Sequence, residues 1–165
     1  IESGSARVRN LMQKNLPQET IFRGVKILKR HGFKPAVNFI LGYPGETKEE
    51  MEETIRLALK LKVSAACFAP FIPLPGSPAT NKLIADGELP RDFDFSQIDL
   101  DCVLYAPKGM TKKQLDWIRR KAVFLFNMQP HMVWYHITGG RLKWTIIKIM
   151  RIFFPQWLVP KGWRR

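Results

Sequence analysis

The spacing of apolar positions divides the chain into segments of alternating period. Ile21, Val25 and Leu28 recur at helical spacing behind Leu16-Pro-Gln-Glu19, where Pro17 suits a helix start and Glu19 its positive end; Gly32 closes the element. Residues 35–41 then run apolar except at Asn38, the pattern of a strand buried on both faces of a parallel sheet. A turn built from Gly42, Pro44 and Gly45 follows, and Thr47-Lys-Glu-Glu50 is a capping box that opens a charged helix over residues 48–62. That helix sets Met51, Ile55, Ala58, Leu59 and Leu61 toward the sheet. Residues 64–71 repeat the strand pattern and run into the proline-rich turn 70–78, and a short helix over 79–85 precedes Gly87. Helix, strand, helix, strand, helix predicts βαβ crossovers and a parallel sheet, hence an α/β fold. A strand that delivers an open glycine–proline turn at its C-terminal end is how α/β barrels present backbone to a ligand, and equally how an ordinary strand connects to a helix.

Beyond residue 103 the pattern changes. Residues 106–109 form a turn, and Thr111-Lys-Lys-Gln114 caps a helix reaching about Met128, with Leu115, Ile118, Ala122, Leu125 and Phe126 as its apolar stripe and Lys112, Arg119 and Arg120 outside. Gly139-Gly140 interrupts the chain; residues 141–154 read as a further helix with Arg141, Thr145, Lys148 and Arg151 on one narrow stripe, stopped by Pro155.

Composition sharpens this division. Hydrophobic content of 45% and charged content of 25% are values of a globular chain and exclude wholesale disorder. The net charge of +13 is unevenly spread: residues 1–102 hold 14 Lys and Arg against 13 Asp and Glu, whereas residues 103–165 hold 13 against Asp116 alone. All five tryptophans lie in the second part. The expected organisation is therefore a β/α unit over residues 1–90, a linker over 91–102, and a basic, aromatic, mainly helical extension over 103–165.

Three readings suit that extension: packing against another part of the protein, an interfacial helix on an anionic membrane surface, and contact with nucleic acid. The segment is too short and too charged to span a bilayer, and no recognised module supports nucleic acid. Cys67 and Cys102 have no partner spacing for a disulfide framework or a metal site, so a reducing, cytoplasmic compartment is expected, with the inner face of the membrane as the place the tail would take it. His131 and His136 are five apart, outside the same-face spacings of a helix, and together with His31 read as surface side chains. The opening Ile-Glu-Ser-Gly-Ser carries no initiator Met and no signal-peptide pattern and reads as a chain cut in its middle. Two strands cannot close a barrel or satisfy their own edges, so partner strands are expected from an upstream part of the same protein.

Three segments in register carry a family resemblance. Ile1-Glu-Ser-Gly-Ser5, continuing through Ala6-Arg-Val-Arg-Asn-Leu-Met-Gln-Lys14, resembles the stretch after the fourth strand of radical S-adenosylmethionine enzymes. Phe39-Ile-Leu-Gly-Tyr-Pro-Gly-Glu-Thr47 is similar to the superfamily's fifth-strand segment, and Pro73-Leu-Pro-Gly-Ser-Pro78 resembles the turn after its sixth strand. Within the superfamily the chain looks most like the cobalamin-binding, magnesium-protoporphyrin-cyclase-like subgroup, in which a basic, aromatic tail follows the barrel. What this implies is the C-terminal part of a partial (β/α)6 TIM-type barrel followed by a basic helical extension.

The resemblance also implies roles. Glu2, Ser3 and Ser5 would contact the ribose and methionyl ends of S-adenosylmethionine, with Lys14 a partner for its carboxylate; read as structure alone, Ser3 or Ser5 is a helix N-cap and Lys14 a solvated cation. Leu41, Gly42, Tyr43 and Pro44 would lie against the adenine, where core packing is the plainer role for Tyr43, and Pro75 and Gly76 would line the barrel mouth. The superfamily's CxxxCxxC loop, whose thiolates hold a [4Fe-4S] cluster, has no counterpart here, nor do its Gly-Gly-Glu turn or a cobalamin domain, and all of these are expected upstream of Ile1. The subgroup's Arg-Pro after the tail helix appears as Gln129-Pro130.

The parent enzyme so implied is an oxidoreductase or methyltransferase that cleaves S-adenosylmethionine reductively to a 5′-deoxyadenosyl radical and acts on a small-molecule or lipid-like substrate. The chain by itself is expected to be inactive. A different class of function is a non-catalytic barrel remnant whose basic tail attaches to a membrane or a polyanion.

Overall fold

The computed structural model describes residues 1–98 and 102–139. The expected helix over 141–154 lies outside the described residues. In chain order the elements are α1 (Ala6–Leu11), α2 (Gln18–Arg30), β1 (Ala36–Leu41), α3 (Lys48–Leu61), β2 (Ala65–Pro70), α4 (Pro78–Ala85), a 3-10 turn (Phe95–Gln97), α5 (Lys112–Asn127) and α6 (Pro130–Thr138). The chain is thus α/β, with a small parallel sheet and helices packed on it.

β1 and β2 pair in parallel from Ala36 with Ala65 to Leu41 with Pro70. Residues 1–3 lie along the other edge of β1: Glu2 donates its N–H to the Asn38 carbonyl at 3.1 Å, and its carbonyl accepts from the Ile40 N–H at 2.8 Å. Residues 1–3 are therefore the end of a third parallel strand position, and all three strand ends point the same way. α1 follows at once because the Ser5 hydroxyl accepts from the Val8 N–H at 3.3 Å, capping its first turn.

Both predicted capping boxes form, Thr47 with Glu50 on α3 and Thr111 with Gln114 on α5. Pro17 sits one step earlier than expected, as the N-cap of α2 rather than inside it. α3 buries Met51, Ile55, Ala58 and Leu61 as its periodicity requires, together with Thr54 and Leu57, while Leu59 is half-buried. On α2, Ile21 and Val25 are buried, but Leu28 is 43% exposed and does not face the sheet.

One core cluster joins Val37, Phe39 and Leu41 of β1 to α3, to Phe68 of β2, and to Leu115, Ile118, Ala122 and Phe126 of α5. Phe39 stacks on Phe68 with ring centroids 5.4 Å apart, and Phe68 meets Phe126 edge-on at 6.3 Å. The apolar stripe of α5 is thus spent on β2 and α3, as a helix following a strand spends it in a layered α/β fold.

The strands are not buried on both faces. Ala36, Asn38, Ala65 and Cys67 are exposed, because among the described residues helices cover only the face that carries Val37, Phe39, Leu41 and Phe68. The near-continuous apolar run of β1 therefore overstated its burial: its second face carries Asn38 and Ala36 and, among the described residues, has no layer over it.

Candidate functional site

The C-terminal ends of the parallel strands converge on an apolar recess of about 520 Å³. Its wall comes from all three motif segments: Leu11, Met12 and Gln13 at the end of α1, Ile40 and Tyr43 on the β1 side, and residues 69–72 with Leu74, Ser77, Pro78 and Ala79 after β2. This edge of a parallel sheet is where α/β folds bind ligands, since backbone groups and loop side chains are presented there without a covering layer.

On the first side of the recess the loop after residues 1–3 is fixed from beneath. The Thr54 hydroxyl donates to the Glu50 carbonyl at 3.1 Å, so its single proton is used, and the 3.1 Å contact with Ser3 is made by the Ser3 hydroxyl donating to Thr54. Ser3 Oγ accepts in turn from the Ser5 N–H at 3.1 Å, and Gly4 N–H donates to Thr54 Oγ1 at 2.8 Å. Ser5 Oγ donates to Glu50 Oε1 at 2.9 Å. Both hydroxyl protons are committed inside the protein, and both serines are buried.

Arg9 is buried as well and donates to the carbonyls of Ser3, Gly4 and Leu16, each at 2.9 Å; burial lowers the pKa of its guanidinium. Glu2 lies above this frame with φ of 68°, a left-handed conformation that is strained for a non-glycine residue, and Ser3 N–H closes back on the Ile1 carbonyl at 2.9 Å. Its carboxylate stands 3.9 Å from Lys14 Nζ, a loose pair with both side chains in contact with solvent.

In the middle stands the turn after β1. Leu41 and Gly42 are buried at its base, and Pro44 is half-buried. Tyr43 is half-buried too: its ring packs edge-on against Phe71 at 5.3 Å and its hydroxyl donates to the Leu11 carbonyl at 3.4 Å, tying the turn to α1. Gly42 and Gly45 have φ of +78° and +77°, values open to glycine and costly for other residues. A β-carbon at Gly42 would also run into the Leu115 side chain of α5.

Glu46 was not singled out by sequence. It is only 3% exposed, and its Oε2 accepts from the N–H groups of Gly42 at 2.6 Å and Tyr43 at 3.1 Å. Burial raises its pKa to about 7 against the pull of those two hydrogen bonds. Glu50 shows the reverse: Arg7 Nε and Nη2 grip its two oxygens at 2.8 and 2.6 Å, and with help from Thr47 N–H and Ser5 the pKa falls to about 2. Arg7 Nη2 also reaches the Gly45 carbonyl at 2.7 Å, so one side chain links α1, α3 and the turn.

On the far side, Pro75 and Gly76 are exposed in the turn after β2, while their neighbours Leu74 and Ser77 face the recess. The structure thus gathers the three motif segments around one recess. Tyr43 alone among the expected contact residues lines it; Ser3, Ser5, Leu41 and Gly42 sit in its foundation. The sequence signal for Glu46 is an acid at four residues beyond a glycine that opens a Gly/Pro turn, where a carboxylate reaches back to turn N–H groups; the neighbouring capping box drew attention to Glu50 instead.

Among the described residues no group of three His, Cys, Asp or Glu lies together, and Cys67 and Cys102 are both exposed, so these residues do not fit the binding of an iron–sulfur cluster. No helix among the described residues is long and apolar enough to cross a membrane.

Comparison with known proteins agrees with this architecture. Residues 1–58 match the family model described as the radical SAM superfamily. An uncharacterized methyltransferase of Pyrococcus horikoshii is 30% identical over 157 residues, which is 93% of this chain and 34% of the relative. A tRNA-2-methylthio-N(6)-dimethylallyladenosine synthase of Ehrlichia ruminantium (strain Gardel) is 36% identical over 81 residues, 48% of this chain and 18% of the relative, and one of Deinococcus radiodurans is 26% identical over 123 residues, 73% and 22%. The chain spans about a third or less of the length of these curated relatives. With strand-end motifs in register around one recess and the family model laid over the first two of them, residues 1–58 of the chain match the radical SAM superfamily.

Proposed function

We propose that this chain supplies the wall over the fourth to sixth strand positions of a radical S-adenosylmethionine enzyme that transfers a methyl or methylthio group. What supports the reading is the recess of about 520 Å³, lined by the three segments whose motifs belong to that superfamily. Its lining is apolar and takes a flat nucleobase by contact; next to the lining residues Gln13 and Ile40, Lys14 and Glu2, themselves outside the lining, offer an ammonium for a carboxylate and a carboxylate for ribose hydroxyls. The donor set therefore fits S-adenosylmethionine.

In this reading Tyr43, with Leu41, Gly42 and Pro44 behind it, backs the adenine. Glu2 and Lys14 hold the ribose and methionyl ends, Ser3 and Ser5 fix the loop that presents them, and Pro75 and Gly76 shape the mouth. When bound beside a reduced cluster, the cofactor supplies radical chemistry; these residues bind it, orient it and exclude water. Cluster ligands come from outside the described residues. The cobalamin expectation gains no support from the fold or the relatives.

Isothermal titration of S-adenosylmethionine into the 165-residue chain is expected to show no micromolar binding, because the cluster and its flanking strands hold the cofactor's other side. The longer protein with a reconstituted cluster is expected to consume S-adenosylmethionine under reduction, and its Tyr43→Ala variant to bind it about tenfold more weakly through lost stacking area. A longer protein that leaves S-adenosylmethionine intact would overturn the reading.

The basic extension carries a second question. α5 spends its apolar stripe on the sheet, which favours packing, yet α6 leaves Trp134 68% and Ile137 51% exposed next to a strongly cationic C-terminal sequence. We propose that the extension packs against the remainder of the enzyme. Co-sedimentation with anionic vesicles is then expected to be absent; pelleting that is lost in salt would assign it to a membrane surface instead.

A further inference from the structure

The turn that faces the recess has a support of unusual chemistry. Gly42 and Tyr43 follow the last residues of β1, so their N–H groups leave the strand ladder just where the chain changes direction. A buried N–H without a partner is costly, and here no carbonyl takes the place of the next strand. Both are satisfied by a single carboxylate oxygen, Glu46 Oε2, at 2.6 and 3.1 Å. The other oxygen, Oε1, is buried and has no hydrogen-bond partner. Apolar packing closes the turn from α5, where Leu115 is fully buried against Gly42. The charged groups around Glu46 are Arg7 and Glu50 on the α1 and α3 side, and Lys48, Glu88 and Lys108 around a second recess that Glu46 lines with the Gly109 turn.

We propose that Glu46 is the positioning residue of the recess-facing turn, holding the Gly42 and Tyr43 amides, and through them the Tyr43 ring, in place. The backbone bond across the turn runs the other way along the chain, from Glu46 N–H to the Tyr43 carbonyl at 2.8 Å, and leaves the Gly42 and Tyr43 donors to the carboxylate. A carboxylate with one oxygen fully used and the other idle is also a group that exchanges a proton readily when the pH approaches its raised pKa. Protonation weakens the charge-assisted bonds to both amides without removing them, so the surroundings of both amides change as Glu46 titrates. The role of the turn as a cofactor wall rests on the proposed function; the role of Glu46 in the turn does not.

The test uses amide resonances of the full 165-residue chain. In the wild type the Gly42 and Tyr43 amide shifts are expected to titrate together with a midpoint near pH 7. In Glu46→Gln the side-chain carbonyl still accepts from both donors, so protection from hydrogen exchange is kept while the titration disappears. In Glu46→Ala both amides are expected to exchange at least about tenfold faster, with amides in the middle of α3 and α5 unchanged, as loss of hydrogen bonds to a charged group predicts. Amides that do not titrate in the wild type, or that keep their protection in Glu46→Ala, would overturn the proposal. The S-adenosylmethionine affinity of the longer protein carrying Glu46→Ala is read separately: unchanged affinity with altered amides would count against the cofactor-wall reading and leave Glu46 as the support of the turn.

Discussion

Gly4→Ala is expected to destabilise the chain by about 3 kcal/mol or more, measured by urea denaturation. A β-carbon at this position would lie 2.5 Å from Glu53 O and from Thr54 Cα and N. These are backbone atoms inside a turn of α3, and they cannot swing aside as a side chain can. The only relief is to lift residues 1–5 off the helix. Lifting them breaks the Gly4 N–H bond to Thr54 and the Ser3–Thr54 contact, and it removes the Ser3 and Gly4 carbonyls from Arg9, a buried cation with few other acceptors. Gly24→Ala supplies the control. It lies on the exposed side of α2 with nothing within 4 Å of the new carbon, and is expected to stabilise by up to about 1 kcal/mol through helix propensity alone. A Gly4→Ala loss no larger than a typical surface substitution would mean that the loop is not seated on α3.

The second large effect is a stability optimum on the acid side of neutrality, produced by two glutamates four residues apart. Glu46 has its pKa raised by burial to about 7 from an ordinary 4.5. The folded chain therefore holds this proton more tightly than the unfolded chain does, and the contribution is complete below pH 4.5 and lost as pH rises through 7. The loss amounts to on the order of 3 kcal/mol. Glu50 has its pKa lowered, first by the Arg7 hydrogen bonds, to about 2. Its contribution is present above 4.5 and disappears as pH falls through 2. Thermal denaturation across this range is expected to show both declines in the wild type. Glu46→Gln should abolish the one toward neutral pH and keep the other; Glu50→Gln should reduce the acid one only. Persistence of the neutral-side decline in Glu46→Gln would show that the carboxylate is not desolvated.

Local features of the fold were legible where one segment decides its own structure. Thr47 with Glu50, and Thr111 with Gln114, announce helix starts because both partners of a capping box lie within four residues. Gly32, Gly42 and Gly45 mark chain reversals because their positive φ suits no other residue as well. α1, only six residues long, was legible only through Ser5 as a helix N-cap, and α6 was not read from the sequence, since it begins at Pro130 in a stretch read for family resemblance rather than periodicity. The exposure of Leu28 and of the Asn38 face of β1 depends on which layers exist, and periodicity within a segment carries no information on that.

The candidate site divides along the same line. Sequence placed Glu2, Tyr43 and the 73–78 turn at the ends of successive strands, since order along the chain and the βαβ pattern fix which ends meet. It could not tell which side chains face the recess and which support it. Ser3 and Ser5 have the right chemistry to bind a sugar, yet Thr54 and Glu50, about fifty residues away, take their hydroxyl protons. Glu50 reads as a cap, and only the approach of α1 makes it the partner of Arg7. By itself, then, the sequence determined the α/β order, the helix starts, the glycine turns and the superfamily, because each is written in residues close together or in motifs kept in register. The tertiary structure alone decided the burial of Glu46, the commitment of the two serines and the contact of Leu115 with Gly42. Each of these depends on a neighbour brought in by packing, which sets the desolvation and the hydrogen-bond partners that a side chain finally has.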